Sequence, residues 1–453
     1  MTHLIKPILG TEYPEISHGK GVYLYDTNGK KYLDGSSGAM TAAIGHGVPE
    51  MAEAMYEQAQ KISYVFRGQF TSEPAEKLAE TLAHEAPGDL NWAFFVNSGS
   101  EATEIALKIA LQYWQEQGRP GKNRILSRWM SYHGVTLGAL SMSGNPIRRK
   151  QFDALLADFP GVAPSYCYRC PFNKTYPSCG LECAEDLETA ILKVGPENIA
   201  AFIFEPIVAA SGGAVVPPPE YYKRVKEICE KYEILMIADE VVTGIGRTGK
   251  MFGMEHWGVQ PDLMALGKGL GGGCTPIGAS LVSDRVIETI KNGSKMMMAG
   301  HTLSANPQSA ATGLAAIQYV KKHHLPENAA YQGEVLRKGL EELEKKYPLI
   351  GNVRGKGLLR GIEFVADQET KQPFDLRSGV TNRIIQRGYD KGIVLYNAAG
   401  GLSGKAGDAI LLTPPLVINT EQIEELLRLL EEVISEISVE LYDEGLLTWR
   451  SIS

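Results

Sequence analysis

Two short apolar segments, each followed by a charged residue, constrain the fold of this chain more than any other feature. Residues 234–238 and 263–266 are uninterrupted hydrophobic runs, as is typical of strands buried inside a parallel sheet. Asp239 follows the first run directly, and Lys268 follows the second run after Gly267. Because open α/β sheets bind ligands at the carboxyl ends of their strands, we expect both charged side chains at one edge.

The residue types of this pair are those that a pyridoxal phosphate site needs. Glycines surround both residues, and glycine lets the backbone approach a flat ligand closely. The lysine would form the Schiff base with the cofactor, and the acid would keep the pyridine nitrogen protonated. We therefore predict Lys268 and Asp239 as the catalytic residues.

The stretch that contains this pair resembles the pyridoxal-phosphate signature of the class III aminotransferases, the ω-amino acid and amine transaminase group. The resemblance extends over nearly the whole chain. The matching residues in this stretch are Asp239-Glu240, the turn Gly244-Ile-Gly-Arg-Thr-Gly249, Pro261-Asp262 and Gly267-Lys268-Gly269.

The resemblance implies an α/β protein with the type I fold of pyridoxal-phosphate aminotransferases. This fold has a large domain with a mostly parallel seven-stranded sheet and a smaller α/β domain. The implied division is an N-terminal segment, 1–55, that joins the small domain, a large cofactor-binding domain, 56–320, and a C-terminal small domain, 321–453. Apolar patterns predict further strands at 92–96, 124–127, 201–204 and 277–282, and helices at 49–62, 220–231, 309–323 and 421–441.

A serine- and glycine-rich turn between a strand and a helix is a candidate phosphate site. Ser98, Gly99 and Ser100 follow the apolar segment 92–96 and precede apolar residues at helical spacing. A helix amino terminus offers free amides and a positive dipole end to an anion. By itself, a serine at a helix start is more often only a cap. With the lysine signature in the same chain, we assign the turn to the cofactor phosphate.

Further cofactor contacts follow from the resemblance alone. It places the aromatic residue that stacks on the cofactor ring at Tyr132, beside His133, and a small apolar residue, Val241, on the other face. It also implies that Thr302 reaches the phosphate of a neighbouring subunit. The expected assembly is therefore a homodimer or tetramer with shared active sites.

The substrate side of the site is predicted from two other segments. In the family, the amino-terminal loop lines this side, and the matching residues are Ser37, Gly38 and Met40. The family also carries a Glu-Pro pair after a buried strand, and Glu205 occupies that position. We expect Met40 and Glu205 to contact the substrate.

The chain departs from the family where the substrate carboxylate is held. Members that handle α-carboxylates carry an arginine three residues before a Pro-Pro-Leu motif, and Leu411 stands there. Amine:pyruvate transaminases use a movable arginine on the preceding loop, where this chain has Asn397. A buried carboxylate still needs a cation, and the candidates are Arg67 and Lys405. We expect a terminal amine or ω-amino acid donor, with pyruvate favoured over 2-oxoglutarate as acceptor.

Four cysteines form a separate cluster that could hold a structural metal ion. Their spacing could supply a tetrahedral thiolate site for zinc. The alternative is a cysteine-rich surface loop that stays reduced in the cytosol. The cluster consists of Cys167, Cys170, Cys179 and Cys183.

Composition limits the partners that this chain is expected to have. Its 453 residues can bury a large core, and a net charge of -8 argues against a nucleic-acid surface. The first residues lack the apolar core of a signal peptide, and the longest apolar stretch, 200–219, is interrupted by Glu205. We therefore expect a cytoplasmic protein without nucleic-acid or membrane partners.

Three other functions fit parts of the sequence. Gly244, Gly249 and Lys250 match the front of a P-loop of a nucleotide hydrolase, but Met251 stands where magnesium needs Ser or Thr. The same fold could also run a decarboxylase, epimerase or aminomutase reaction. A non-enzymatic, cofactor-binding regulator is the third alternative, although the chain shows no appended DNA-binding segment.

Overall fold

The computed structural model of the protein describes residues 3–402 and 406–448. Its strands are β1 (Ile16–Lys20), β2 (Tyr23–Asp26), β3 (Lys31–Asp34), β4 (Trp92–Val96), β5 (Arg124–Arg128), β6 (Gly161–Val162), β7 (Ile199–Phe204), β8 (Leu235–Asp239), β9 (Leu263–Leu266), β10 (Gly278–Val282), β11 (Ile350–Lys356), β12 (Leu359–Phe364), β13 (Ile393–Val394), β14 (Tyr396–Asn397) and β15 (Asp408–Leu412). Its helices are α1 (Ser37–Met40), α2 (Pro49–Lys61), α3 (Glu73–Glu85), α4 (Gly99–Glu116), α5 (Leu137–Met142), α6 (Pro146–Arg149), α7 (Glu182–Val194), α8 (Tyr221–Lys231), α9 (Asp284–Asn292), α10 (Pro307–Lys322), α11 (Leu325–Lys346), α12 (Val380–Lys391) and α13 (Thr420–Asp443).

A seven-stranded sheet with the order β4-β10-β9-β8-β7-β5-β6 forms the centre of the molecule. Strands β6, β5, β7, β8 and β9 run parallel to one another. Strand β10 is antiparallel to both of its neighbours, β4 and β9. The predicted mostly parallel, seven-stranded sheet is therefore confirmed, as is its α/β class.

Alternate residues of the central strands face two different hydrophobic clusters. In β7, Ala201 and Ile203 belong to the cluster that includes residues of α4. Phe202 and Phe204 belong to the cluster that includes residues of α7 and α8. Because helices cover both faces, every residue of β7, β8 and β9 is buried. These strands therefore show unbroken apolar runs in the sequence instead of alternation.

Two smaller four-stranded sheets lie outside the central sheet, and one of them combines strands from both ends of the chain. The first has the order β1-β2-β3-β13, and the second has the order β11-β12-β15-β14. Strand β3 pairs in parallel with β13, so the amino-terminal strands join an element from the carboxyl-terminal part of the chain. This pairing supports the proposed union of the amino-terminal segment with the small domain. The boundaries at 55 and 320 stay predictions.

Helix lengths also bear on membrane insertion. Across residues 3–402 and 406–448, the structure has no helix that is both long enough and apolar enough to span a bilayer.

A buried lysine ties together the amino ends of three parallel strands. Lys122 lies just before β5 and is only 1% exposed. Its ammonium group donates to carbonyl oxygens at the start of β7 and before β8, and it lies 4.4 Å from the centre of the Trp114 ring. The four acceptors are the carbonyl oxygens of Pro196 (3.0 Å), Ile199 (3.0 Å), Tyr232 (3.3 Å) and Glu233 (2.8 Å).

Replacing this lysine with methionine is expected to destabilise the protein by about 2–4 kcal/mol, because buried carbonyl oxygens lose their shared donor. The free energy of unfolding, measured by urea denaturation, checks this. Lys193→Met removes an exposed lysine at the end of α7 and should stay within about 0.5 kcal/mol of wild type. Equal stability of Lys122→Met and wild type would contradict the assignment.

Candidate active site

The carboxyl ends of the central parallel strands bring the predicted site residues to one edge of the sheet. Asp239 is the last residue of β8, and Glu205 follows β7 directly. Lys268 follows β9 after Gly267. Strands β8 and β9 are parallel, with Asp239 opposite Ala265. Lys268, Asp239 and Glu205 consequently line one pocket, which has a cavity volume of about 150 Å³.

Lys268 combines an unusual backbone conformation with a weakened basicity. Its φ of 44° lies in the left-handed region, which non-glycine residues rarely adopt outside functional or strained sites. Desolvation by the surrounding protein lowers the pKa of its amine to about 8. The negative charges of Asp239 and Glu205 raise this pKa, but their effect is smaller than that of desolvation. A larger share of this amine is therefore neutral, and nucleophilic, near neutral pH.

This pKa predicts how the free protein reacts with an amine-reactive reagent. Modification of Lys268 should rise with pH around a midpoint near 8. Lysines in water have a pKa of about 10.4, so their modification should rise at higher pH. Brief labelling at a series of pH values from 6 to 11, followed by peptide mapping, measures the modification of Lys268 and of the exposed lysines in the same samples. A midpoint for Lys268 equal to that of the exposed lysines would contradict the prediction.

Asp239 is held in a fixed orientation by a buried histidine. Its Oδ2 atom lies 2.7 Å from Nδ1 of His133, and its Oδ1 atom accepts a bond of 3.2 Å from the amide of Val241. The histidine backbone is fixed in turn, because its amide donates to Ser143 Oγ and its carbonyl accepts from Thr103 Oγ1.

The amino terminus of α4 forms another wall of the pocket. Ser98 caps this helix by accepting a bond of 3.2 Å from the amide of Glu101, and it lines the pocket with Gly99 and Ser100. The amides of a first helical turn lack partners within the helix, so this end attracts an anion. A Cβ atom added to Gly99 would lie 2.7 Å from Val241 Cγ1, so a larger residue would displace the valine.

Tyr132 and Glu205 are joined at the opposite part of the same lining. The amide of Tyr132 donates to Glu205 Oε1 over 3.0 Å, and the amide of Ala209 donates to Oε2 over 3.0 Å. Burial raises the pKa of the Glu205 carboxyl above its usual value. The guanidinium of Arg148 lies 4.6 Å from the centre of the Tyr132 ring. The pocket thus has an aromatic residue and a buried acid beside the lysine.

The residues that line the pocket fit pyridoxal phosphate. Lys268 supplies a primary amine for an aldehyde, and Asp239 supplies a buried carboxylate for a pyridinium nitrogen. The α4 amino terminus supplies amides for a phosphate. Gly99 packs closely against Val241, so the start of the helix has no room for a side chain at this position and the backbone itself lines the pocket. The donor set therefore matches the three polar parts of this cofactor.

The structure does not fit the P-loop alternative. After the turn that contains Gly244 and Gly249, the chain enters a 3-10 turn, Gly253–His256, and not the helix that a P-loop precedes. Arg247 in the same turn is buried, and its guanidinium donates to the carbonyl oxygens of Leu358 and Pro414. The turn therefore holds the chain together and is not arranged to bind a nucleotide.

Three predicted substrate or cofactor residues, Met40, Arg67 and Thr302, lie outside the pocket lining of the single chain. Met40 is buried in an apolar cluster, and Thr302 is exposed. Arg67 is exposed, donates to the carbonyl oxygen of Ala299, and lies 4.5 Å from the centre of the Phe94 ring. The predicted role of Lys405 concerns a position outside the described residues. None of these roles is tested by one chain alone.

Other pocket residues were not predicted from the sequence. Gly134 follows the predicted Tyr132-His133 pair, and Val242 follows Val241, so both had local signals that could have identified them. Ala210 and Tyr396 come from loops and edges distant in sequence, and no local pattern marks them.

The prediction of a structural zinc site is not supported. All four cysteines of the cluster are free. In the part of the chain that the structure describes, no group of three or more His, Cys, Asp or Glu side chains could hold a metal ion. Burial raises the pKa of Cys183 to about 12 and also raises the pKa of Cys167. Cys170 and Cys179 are half-buried beside them.

Comparison with known proteins gives relatives across the whole length. Residues 11–434 match the family Aminotransferase class-III. The uncharacterized aminotransferase YodT of Bacillus subtilis is 49% identical over 97% of this chain and 99% of its own length. The putrescine–pyruvate aminotransferase of Pseudomonas aeruginosa is 35% identical over 93% of this chain and 90% of its own. The taurine–pyruvate aminotransferase of Bilophila wadsworthia is 35% identical over 90% and 89%.

Solved transaminase structures share the fold. A transaminase from the marine bacterium Virgibacillus superposes with a TM-score of 0.91 at 35% identity, covering 97% of this chain and 98% of that one. The omega transaminase of Pseudomonas jessenii in complex with PMP gives a TM-score of 0.89 at 33% identity, covering 95% and 94%. These likenesses confirm the predicted type I fold. The chain belongs to the class III aminotransferases, a family that uses pyridoxal phosphate.

Proposed function

We propose that this aminotransferase moves an amino group from a terminal amine or ω-amino acid to a 2-oxo acid, with pyruvate as the favoured acceptor. One observation carries the proposal: Lys268, Asp239 and the amino terminus of α4 line the same pocket. The relatives named putrescine–pyruvate and taurine–pyruvate aminotransferase support both the donor class and the acceptor.

Each residue of the pocket has a separate role in this proposal. Pyridoxal phosphate, when bound, supplies an electron sink for the carbon that loses a proton. Lys268 would hold the cofactor through its amine and would move the proton, a task that suits an amine with a pKa of about 8. Asp239, oriented by His133, would stabilise a protonated ring nitrogen.

The remaining contacts hold the cofactor in place. Ser98, Gly99 and Ser100 at the start of α4 would bind its phosphate. Tyr132 and Val241 would pack against its ring, since an aromatic face and a small apolar side chain suit a flat aromatic ligand. Glu205 would face the substrate.

The leucine at the position where the family carries its carboxylate-binding arginine supports a donor without an α-carboxylate. Leu411 lies in β15, is fully buried, and packs in an apolar cluster with Met40 and Ala398. Leucine supplies no positive charge at this position, so an α-carboxylate held there would lack a partner and would cost free energy to bury. The carboxylate of the 2-oxo acid therefore needs a cation elsewhere in the site. An amine without an α-carboxylate meets no such cost.

A panel of donors tests this function. A diamine, an ω-amino acid and an α-amino acid are each paired with pyruvate and with 2-oxoglutarate, and the alanine or glutamate formed is measured. Parallel double-reciprocal lines are expected, because the two substrates should react in turn in a ping-pong sequence. If the protein decarboxylates or epimerises the donor, or moves its amino group within the molecule, without needing an acceptor, one of the alternative reactions of the same fold is the function instead of transamination.

We further propose that two copies share each active site, with Thr302 reaching the partner's phosphate site. Exposed apolar side chains around the relevant segments support an interface: Trp129 (49% exposed), Val135 (65%), Leu137 (52%), Met298 (81%) and Leu303 (51%). Sedimentation of the purified protein distinguishes monomer, dimer and tetramer. Thr302→Ala should weaken cofactor binding, and a fully active monomer would contradict the proposal.

A further inference from the structure

Helix α6 carries two neighbouring arginines whose side chains have different surroundings. The guanidinium of Arg149 is fixed, because its Nη1 atom donates to the carbonyl oxygens of Leu140, Ser141 and Ser143 at 2.8–3.3 Å. Arg148 is exposed, and no carboxylate in the described part of the chain forms an ion pair with it. The donors of Arg148 are therefore available to a ligand.

The position of Arg148 places this available cation beside the active site. Its guanidinium lies 4.6 Å from the centre of the ring of Tyr132, which lines the pocket. Its charge is also among those that lower the pKa of Lys268, so the field of the guanidinium reaches the reactive amine.

The backbone beneath Arg148 is held firmly in this place. The side chain of Asn145 accepts from the amides of Ile147 and Arg148, at 3.1 and 3.4 Å, and donates to Ser211 Oγ at 3.2 Å. On the other side of the turn, a Cβ atom added to Gly400 would collide with Ile147 Cδ1, so α6 packs closely on that loop. A flexible arginine side chain thus projects from a fixed base.

The pocket needs such a cation when a carboxylate enters. Among the described residues that line it, Glu205 and Asp239 are acidic and Lys268 is the one cation. Lys268 is committed to the cofactor and to proton transfer, so it cannot also pair with a substrate anion. Neither Arg67 nor Arg148 lines the pocket directly, but Arg67 donates to the carbonyl oxygen of Ala299, whereas Arg148 lies against Tyr132, which does line it. A carboxylate without a partner would be costly to bury.

We propose that Arg148 binds the substrate carboxylate: that of the 2-oxo acid in one half of the reaction and that of an ω-amino acid donor in the other. The inference rests on the proposed ping-pong function, in which both substrates occupy the same space in turn. Arginine suits this role because its planar guanidinium can pair with a carboxylate through two parallel hydrogen bonds. A donor without a carboxylate makes no use of it.

Steady-state kinetics of Arg148→Met and Arg148→Lys test the inference. In Arg148→Met, the KM for pyruvate should rise about 10- to 100-fold, the loss expected for a hydrogen-bonded ion pair. The kcat of Arg148→Met, and its KM for a monoamine donor that lacks a carboxylate, should stay within about threefold of wild type. Its KM for an ω-amino acid donor should rise together with its KM for pyruvate. Arg148→Lys should recover part of the loss.

Two further variants and a binding measurement complete the test. Lys150→Met removes an exposed charge next to the same turn and should change neither KM. Arg67→Ala separates the two candidate cations. Competitive inhibition by propionate, a carboxylate that cannot react, should weaken in Arg148→Met by the same factor as pyruvate. If wild type forms no alanine from pyruvate, the proposed function fails. If wild type is active and the pyruvate KM of Arg148→Met is unchanged, or rises only in Arg67→Ala, the inference is overturned.

Discussion

Replacing Lys268 with alanine is expected to lower kcat for amino transfer by about four to six orders of magnitude, because one side chain both attaches the cofactor and carries the proton. Initial rates with the best donor and acceptor pair measure this. Borohydride reduction of the loaded wild-type protein should fix the cofactor to the peptide that contains Lys268, whereas the variant should retain no label after denaturation.

The variant should nevertheless fold and bind the cofactor without a covalent bond. The helix α4 amino terminus, Asp239 and Tyr132 are unchanged by the substitution and line the same pocket. Lys250→Ala serves as the matched control, because Lys250 is an exposed lysine in the same signature and lies outside the pocket. Label on a peptide other than that of Lys268, or substantial turnover by Lys268→Ala, would remove the basis of the proposed mechanism.

The sequence is most informative where a single local pattern predicts both a buried strand and the functional residue that follows it. Strands β8 and β9 are buried on both faces, so their apolar runs stand out, and Asp239 and Lys268 lie where those runs end. The turn proposed to bind the phosphate has a local signal for a similar reason, since strand, turn and helix are contiguous at Ser98. These parts of the site depend on neighbours in sequence.

Two kinds of feature could not be predicted: strands with a weak local pattern, and contacts between distant segments. Strand β11, Ile350–Lys356, is an edge strand with mostly half-buried residues and two glycines, so its pattern is neither apolar nor alternating. Tyr396 and Ala210 enter the pocket because remote loops meet there. Arg148 was missed because only the fold shows that it stacks on Tyr132 while its neighbour Arg149 is bonded to carbonyl groups.

The cysteine cluster is a case in which sequence spacing left two alternatives open, a zinc site and a reduced surface loop, and the fold does not support the first. A metal site needs thiolates aimed at one point, and sequence spacing reports only how far apart the residues are along the chain. Cys167 lies on a 3-10 turn and Cys183 on α7, with a loop between them. Within the described residues, no group of three or more His, Cys, Asp or Glu side chains is placed to hold a metal ion.

Replacing Asp239 with asparagine is the second substitution with a large expected effect. The change keeps the shape of the side chain but removes the negative charge that would stabilise a protonated ring nitrogen. Loss of one such electrostatic contact typically lowers kcat about 10²- to 10³-fold. The KM values should change little, because the substrates do not touch this carboxylate. Asp390→Asn, which alters an exposed aspartate on α12, should leave the rate unchanged.

The histidine behind Asp239 distinguishes a charge effect from a general loss of structure. His133 is buried with Nδ1 2.7 Å from Asp239 Oδ2, so we expect it to act on a bound cofactor through the carboxylate. His133→Asn should therefore lower kcat in the wild-type background but have little further effect in the Asp239→Asn background, as coupled neighbours do. The visible absorbance of the bound cofactor should shift its pH dependence in both single variants. Additive losses, or an unshifted pH profile in Asp239→Asn, would mean that the carboxylate does not set the protonation of the ring.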